Sequence, residues 1–105
     1  MTFIKIPTRS DYDNFIEAID LNGIPYNIEF NYNSRTEYWT INIQDENGTA
    51  IINGLPLLVN SELYDRFRNL NIPAGPMALL NLQSKNTEIV RTDLDSTAIL
   101  IYGVA

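Results

Sequence analysis

The sequence predicts an all-β fold, a small antiparallel β-barrel or sandwich built on a β-meander with one short helix. Apolar and polar residues alternate along residues 24–32, where Tyr26, Ile28 and Phe30 share one face. A two-residue period with one apolar face is typical of an antiparallel sheet that covers a core on one side. The dipeptide Asn22-Gly23 before this strand is a strong signal for a two-residue hairpin turn. A length of 105 residues predicts a single domain over residues 1–105.

Composition excludes several classes of function. Hydrophobic residues make up 45% of the chain, which is too many for a disordered protein. Cysteine and histidine are both absent, which excludes disulfides, thiol nucleophiles, histidine acid–base chemistry and most zinc sites. The net charge of −6, with only seven Lys and Arg residues, argues against contact with a phosphate backbone. We therefore expect no nucleic-acid partner, no metal and no cofactor.

The first residues predict an extended N-terminal arm. Residues 1–7 include the apolar side chains Phe3, Ile4 and Ile6 and end at Pro7, which stops a regular element. A polar connector separates them from the hairpins, so we expect the arm to dock on a neighbouring subunit. Its removal should then weaken assembly and leave the fold intact. No signal-peptide region begins the chain, and no run approaches the roughly 20 apolar residues that span a bilayer, so we expect a cytosolic origin and no membrane partner.

The first hairpin joins residues 14–21 to the alternating strand through Asn22-Gly23, because both turn residues tolerate the positive φ angles of a type I′ turn. The turn predicts a register of facing pairs: Leu21 with Ile24, Ile19 with Tyr26, Glu17 with Ile28, and Phe15 with Phe30. Glu17 is the charged exception on this apolar face. We expect it at the end of the sheet, with local hydrogen bonds and a subunit contact as the alternatives.

A four-residue loop at residues 33–36 predicts the second hairpin. Its register pairs Phe30 with Trp39, Ile28 with Ile41, and Tyr26 with Ile43. Trp39 then lies on the core face, which we favour over an exposed position where it would stack on a sugar. The opposite face is polar and carries Tyr38, a candidate interaction residue. The buried face is predicted to consist of Phe15, Ile19, Tyr26, Ile28, Phe30, Trp39, Ile41, Ile43 and Ile52.

The second half of the chain predicts a fourth strand, a short helix and two apolar strands. A strand is predicted at residues 49–53, and Pro56 beyond it suits an edge or a crossover. Apolar residues at helical spacing predict a helix over residues 61–70. Residues 77–82 and 98–102 are apolar without alternation. We therefore expect both faces of these strands to be covered, by a closed barrel, a second layer or another subunit.

Carboxylates in close pairs are the candidates for chemistry. The pairs are Asp11 and Asp13, Asp45 and Glu46, and Asp93 and Asp95. Such pairs hold calcium or act as acid and base in other proteins, but none here has the length and glycine spacing of a calcium loop. Solvated turn acids are therefore the favoured interpretation. No nucleophile has an adjacent base, so we expect no catalytic residues and no enzyme activity.

Motifs in a fixed order carry a resemblance to a known family. They are Tyr32-Asn33-x-Arg35, Trp39-x-x-x-Ile43-x-Asp45-x-x-Gly48, Gly54-x-Pro56-Leu57 and Leu100-x-Tyr102-x-Val104. Together they resemble the small baseplate plug proteins of contractile-tailed, cyanophage-like bacteriophages. The resemblance covers most of the chain and is clearest over residues 24–57 and from residue 93 to the end.

The resemblance implies a structural subunit of a phage tail baseplate, located in the virion and assembled in the host cytoplasm. The implied partners are other tail and baseplate proteins, such as the hub and the tail tube, and a homo-oligomer is expected. Protein–protein contacts alone would then carry the function, with Phe3, Ile4, Ile6 and Tyr38 as candidate contact residues. The alternative is a monomeric β-sandwich module that binds a ligand such as carbohydrate on the polar sheet face around Tyr38.

Overall fold

A computed structural model describes residues 2–9, 11–57, 62–64, 67, 70, 72–81, 94 and 98–104. Its strands are β1 (Thr2–Ile6), β2 (Asn14–Leu21), β3 (Ile24–Asn33), β4 (Tyr38–Asp45), β5 (Ala50–Pro56), β6 (Met77–Asn81) and β7 (Ala98–Val104). They form a four-stranded antiparallel sheet in the order β2-β3-β4-β5 and a three-stranded antiparallel sheet in the order β1-β7-β6. The all-β prediction is confirmed. No strand pair joins the two sheets within the described residues, so the architecture is a sandwich and not a closed barrel.

The first hairpin has the predicted register. Asn22 and Gly23 form the turn with φ angles of 56° and 81°, the left-handed conformations that a type I′ turn requires. The facing pairs are Leu21 with Ile24, Ile19 with Tyr26, Glu17 with Ile28, and Phe15 with Phe30. A local turn preference and the apolar alternation therefore agree on one pairing.

The predicted register of the second hairpin is wrong by two residues. The observed pairs are Tyr32 with Trp39, Phe30 with Ile41, and Ile28 with Ile43. Because side chains alternate with a period of two, a shift of two residues changes the partners and preserves the faces. Trp39 and Ile41 therefore still lie in the core, as predicted.

The loop of the second hairpin explains this shift. The turn occupies residues 34–37, because the Asn33 side chain accepts hydrogen bonds from the backbone N–H groups of Arg35 (2.9 Å) and Thr36 (3.3 Å). Asparagine favours such turns. Glu37 adopts a left-handed φ of 60°, and its N–H donates to the carbonyl of Asn33 at 2.7 Å. Asn33 therefore remains in the ladder as the last residue of β3.

The fourth strand of the meander is longer than predicted. It was expected over residues 49–53 and instead continues through Gly54 to Pro56. Gly54 has a φ of 70°, and two register irregularities interrupt the pairing of β5 with β4. Pro56 is tolerated because β5 is an edge strand, where a missing N–H breaks no ladder on the open side.

The predicted N-terminal arm is instead a strand of the chain's own core. β1 pairs with the central strand β7, with Ile4 opposite Tyr102 and Ile6 opposite Leu100. Ile6 is completely buried, and Ile4 packs against the core. β7 is the central strand of its sheet and is apolar on both faces. Its backbone groups need hydrogen-bonding partners on both sides, and β1 supplies them on one side. The expectation that residues 1–7 leave the fold intact when removed is therefore not supported by this arrangement.

The predicted helix at residues 61–70 lies partly outside the described residues. Among those that are described, Glu62 forms a bridge with Ala78. Phe67 and Leu70 donate backbone hydrogen bonds to the residues three positions earlier, which is the pattern of tight turns and not of an α-helix. The described part of the chain contains no α-helix, so the short helix of the prediction is not found there.

Side chains from both sheets form one buried cluster. It combines Ile28, Phe30 and Ile41 of the larger sheet with Leu79 and Leu100 of the smaller one. The predicted core face is confirmed, except that Phe15 and Ile19 are only partly buried. These two residues lie on β2, which is an edge strand and is therefore covered on fewer sides.

A hydrogen-bonded junction holds the two sheets together at one end of the core. The Tyr102 hydroxyl on β7 accepts hydrogen bonds from the Gly75 N–H (2.7 Å) and from Nδ2 of Asn22 in the β2–β3 turn (3.0 Å). The Tyr64 hydroxyl donates to the Gly75 carbonyl at 2.5 Å. Gly75 has no room for a side chain, since a Cβ there would lie 1.9 Å from the carbonyl oxygen of Gly103. This end of the sandwich therefore depends on close backbone approach.

Candidate functional site

The structure separates the contact residues that were predicted from the sequence. Phe3 is 55% exposed on the outer face of the three-stranded sheet, and Tyr38 is 49% exposed on the outer face of the four-stranded sheet. Ile4 is half-buried and Ile6 is fully buried, and both face the core. The four residues therefore form no common site. Phe3 and Tyr38 remain accessible to a partner, whereas Ile6 does not.

The three-stranded sheet has an outer face that is largely apolar. The register places Ile101 between Lys5 of β1 and Ala78 of β6, and it places Leu80 beside Ile99. We call this surface the outer apolar face; it consists of Phe3, Ala78, Leu80, Ile99 and Ile101. All of these residues but Phe3 are half-buried, and the exposed Lys5 lies next to them on the same side of the sheet. The missing alternation of β6 and β7 predicted apolar residues on both sides of these strands, and the sheet order assembles them into one surface.

The outer face of the four-stranded sheet is polar and internally hydrogen-bonded. Glu29 on β3 accepts hydrogen bonds from the side-chain amides of Asn14 on β2 (3.0 Å) and Asn42 on β4 (2.9 Å). Asn14 also donates to the side chain of Asn31. Oδ1 of Asn42 accepts the N–H of Gly54 on β5 at 2.7 Å. This polar network links all four strands of the sheet. Many of its hydrogen-bonding groups are already used for bonds within the network.

The network makes stability depend on pH through Glu29. Hydrogen bonds, first from Asn14 and then from Asn42, lower the pKa of the Glu29 carboxyl below its usual range, against an opposing effect of burial. A carboxyl whose pKa is lower in the folded state stabilises the fold above its unfolded pKa, and this stabilisation is lost as the pH falls through the folded pKa. We expect Glu29→Gln to lower the free energy of unfolding at pH 7 by less than about 1 kcal/mol, because water screens the site.

Urea unfolding of Glu29→Gln and the wild type between pH 7 and pH 3 measures this effect. The difference between the two proteins should narrow as the pH falls below the ordinary carboxyl value of 4.5. Glu46→Gln, in the exposed β4–β5 turn, is the matched control for removing one acidic group. A difference for Glu29→Gln that stays constant across this pH range would show that its charge does not stabilise the fold.

A groove of about 530 Å³ lies between the start of β3, the β4–β5 turn and the residues Leu70 and Ile72. Its lining residues are Ile24, Pro25, Tyr26, Asp45, Thr49, Ala50, Ile51, Leu70 and Ile72. Ile24 and Leu70 are among the most exposed large apolar side chains of the described residues, at 51% and 41%. Burial, and then the proximity of Tyr102, raise the pKa of Tyr26, so its hydroxyl is neutral at pH 7. The groove has the size and lining to receive apolar side chains of another molecule.

Glu17 lies in the middle of the edge strand β2, and not at the end of the sheet as expected. Its side chain is half-buried on the core face, opposite the fully buried Ile28. The Glu17 carboxylate accepts no side-chain hydrogen bond from another described residue, so the alternative of local hydrogen bonds finds no support there. The remaining alternative from the sequence is a contact with another molecule.

Two of the paired carboxylates, Asp45 and Asp11, accept hydrogen bonds within their own loops. Oδ1 of Asp45 accepts the N–H groups of Asn47 and Thr49, each at 2.9 Å. Asp11 accepts two hydrogen bonds of 2.6 Å from Arg9. Asp93 and Asp95 lie outside the described residues. Within the described part of the chain, no group of three or more acidic side chains converges on a point where a metal ion could bind.

Comparison with known proteins gives one family match. A family model described as "Cyanophage baseplate Pam3 plug gp18" matches residues 3–105. No curated protein matches the chain. In the part that the structure describes, there is no helix with the length and apolar character needed to cross a membrane. The family match includes strands of both sheets.

Proposed function

Because the chain belongs to the cyanophage baseplate plug family, we propose that it works through protein–protein contacts alone. The family indicates a structural plug protein of a phage tail baseplate, located in the virion tail. The proposed partners are other baseplate proteins, such as the hub and the tail tube, and further copies of this chain. Assembly is proposed to take place in the host cytoplasm.

The outer apolar face carries this proposal. Phe3 is 55% exposed and continues a surface with the half-buried Leu80, Ile99 and Ile101. Apolar surface that leaves water contributes roughly 25 cal/mol per Å², so a partner that covers this face gains binding energy from it. Stable assembly contacts bury more than about 1,000 Å² in total. The outer apolar face, together with neighbouring residues such as Lys5, provides a surface for such a contact.

No catalytic step is part of the proposal. The matched family is one of structural proteins. Asp11 and Asp45 are two of the four described candidates for acid–base chemistry. Asp11 accepts hydrogen bonds from Arg9, and Asp45 accepts them from backbone N–H groups. These contacts support a role for both carboxylates in shaping loops.

The carbohydrate-binding alternative has weaker support from the geometry. It requires free hydrogen-bonding groups on the polar face around Tyr38. The amide side chains of Asn14 and Asn42 on this face already donate to Glu29, and Asn42 also accepts from Gly54. We therefore favour a protein partner on the outer apolar face over a sugar on the polar face.

A matched pair of variants tests which face the assembly uses. Phe3→Glu places a charge on the outer apolar face, and Tyr38→Glu places the same charge on an equally exposed aromatic of the other sheet. We expect Phe3→Glu to reduce incorporation into tails by about tenfold or more, because an exposed aromatic at an interface centre is a typical hot spot. Tyr38→Glu should be incorporated like the wild type. Phage lacking its own plug gene is complemented with each variant, and the plug content of purified virions is measured.

Thermal unfolding of both purified variants provides the control for folding. Both side chains are about half exposed, so neither change should unfold the domain. Normal incorporation of a folded Phe3→Glu protein would exclude the outer apolar face as the contact. A loss confined to Tyr38→Glu, together with a melting temperature that rises on addition of glycan, would favour the binding-module alternative.

A further inference from the structure

Among the residues that the structure describes, no strand pairs with β2 on the side away from β3, and this open edge differs from the other edges of the two sheets. β5 carries Gly54, Pro56 and register irregularities, and β1 is short and carries Lys5. β6 is bridged on its open side by Glu62. These features are the usual means by which proteins prevent further strands from pairing with an edge. β2 has an uninterrupted eight-residue register without glycine, proline, lysine or arginine.

The open edge of β2 combines exposed apolar surface with negative charge. Ile16 is 59% exposed, the highest value among the described large hydrophobic residues. Glu17 and Asp20 give the strand two acidic side chains and no basic one. Arg9 interacts electrostatically with Glu17, but its guanidinium donates both of its hydrogen bonds of 2.6 Å to Asp11. No described side chain donates a hydrogen bond to the Glu17 carboxylate, which leaves it able to pair with a cation that approaches the edge.

A second copy of β2 is a poor occupant of this edge. Two copies of β2 related by a twofold axis would pair in an antiparallel arrangement. Their core-facing side chains lie on the same side of the joined sheet only when core-facing residues of one copy stand opposite core-facing residues of the other. The registers closest to full overlap then centre on Glu17 or on Ala18. The register centred on Glu17 places this residue directly opposite the same residue of the second copy. The register centred on Ala18 places the two Glu17 carboxylates at diagonally neighbouring positions of the two strands. Like charges in these cross-strand positions are destabilising.

We propose that the open edge of β2 binds an extended segment of a partner protein that carries Lys or Arg opposite Glu17. The segment adds a strand to the four-stranded sheet through backbone hydrogen bonds, and its cation pairs with the half-buried carboxylate. Glu17 then selects a basic segment and rejects a second copy of β2 with the same charge. This surface is separate from the outer apolar face, and the inference does not depend on the contact proposed there.

Synthetic peptides test the charge preference. Two capped nine-residue peptides of alternating threonine and valine, one with lysine and one with glutamate at the centre, are titrated onto the protein by fluorescence anisotropy. We expect the wild type to prefer the lysine peptide by about five- to tenfold, as a cross-strand charge pair predicts. Glu17→Lys should reverse the preference, and Glu17→Gln should remove it. Glu46→Lys makes the same charge change in the exposed β4–β5 turn and should keep the wild-type preference.

Amide hydrogen exchange of β2 separates strand addition from simple attraction of charge. The lysine peptide should slow exchange of the N–H groups of β2 that point away from β3, and N-methylation of alternate peptide amides should abolish this protection. Equal binding of the two peptides, or binding without protection of β2, would refute the proposal. If Glu17→Lys does not fold, Glu17→Gln is sufficient for the test. An unchanged preference of that variant for the lysine peptide would also refute the proposal.

Discussion

Trp39→Ala is expected to lower the free energy of unfolding by about 3–5 kcal/mol, a large part of the stability of a domain of this size. The indole is only 2% exposed. It packs edge-on against Phe15 at 6.0 Å and against Tyr32 at 5.4 Å between ring centroids. Truncation leaves a cavity between three strands that the surrounding side chains cannot fill without repacking.

Denaturant unfolding of the purified variant measures this loss. Tyr38→Ala is the matched control, because the neighbouring aromatic on the same strand is 49% exposed and its removal should cost less than about 1 kcal/mol. If Trp39→Ala and Tyr38→Ala were equally stable, Trp39 would not lie in the core and the strand faces assigned to β4 would be reversed.

Gly75→Ala is expected to destabilise the domain by about 3 kcal/mol or more. The new Cβ would lie 1.9 Å from the carbonyl oxygen of Gly103 and 2.9 Å from the ring of Tyr102. The backbone must therefore move, which adds the strain of overpacking to the loss of the Gly75 hydrogen bonds with Tyr102 and Tyr64. Because Tyr102 also accepts a hydrogen bond from Asn22, the change should loosen the junction between the sheets.

Gly48→Ala is the control for this second prediction. Gly48 has a φ of 82° and nothing within 4 Å of its Cβ position, so the substitution costs only the backbone strain of about 1 kcal/mol. Urea unfolding gives the free energy of unfolding of each variant. The difference between them separates the cost of overpacking at Gly75 from the cost of backbone strain at Gly48. A Gly75→Ala protein as stable as Gly48→Ala would mean that the junction opens at little cost and does not hold the sheets together.

The meander shows how far local sequence determines structure. The Asn22-Gly23 turn gave the correct pairing of β2 with β3, since the turn requires positive φ at both residues. In the β3–β4 hairpin the predicted strand faces were correct, but the predicted facing pairs were not. The position of this loop depends on hydrogen bonds of the Asn33 side chain and on the left-handed conformation of Glu37. Alternation alone distinguishes the two faces of a strand and does not distinguish registers that differ by two residues.

The candidate surfaces show what local sequence leaves open. Phe3 was predicted as a contact residue of a free arm, but it is accessible because β1 pairs with β7 and turns that side chain outward. The apolar character of β6 and β7 was evident from their sequences. That Leu80, Ile99 and Phe3 share one face was not, because this depends on the order β1-β7-β6.

The sequence by itself determined the all-β class, the core face of the meander, the buried position of Trp39 and the family to which the chain belongs. These features follow from alternation, turn residues and motif spacing, which act over a few neighbouring residues. Only the tertiary structure decided that the first strand belongs to the core and that the sheets form a sandwich. It also decided that β2, with Glu17 near its centre, is an edge strand among the described residues. Pairing between the two ends of the chain depends on which apolar faces can be buried together, and that is a property of the assembled fold and not of any one segment.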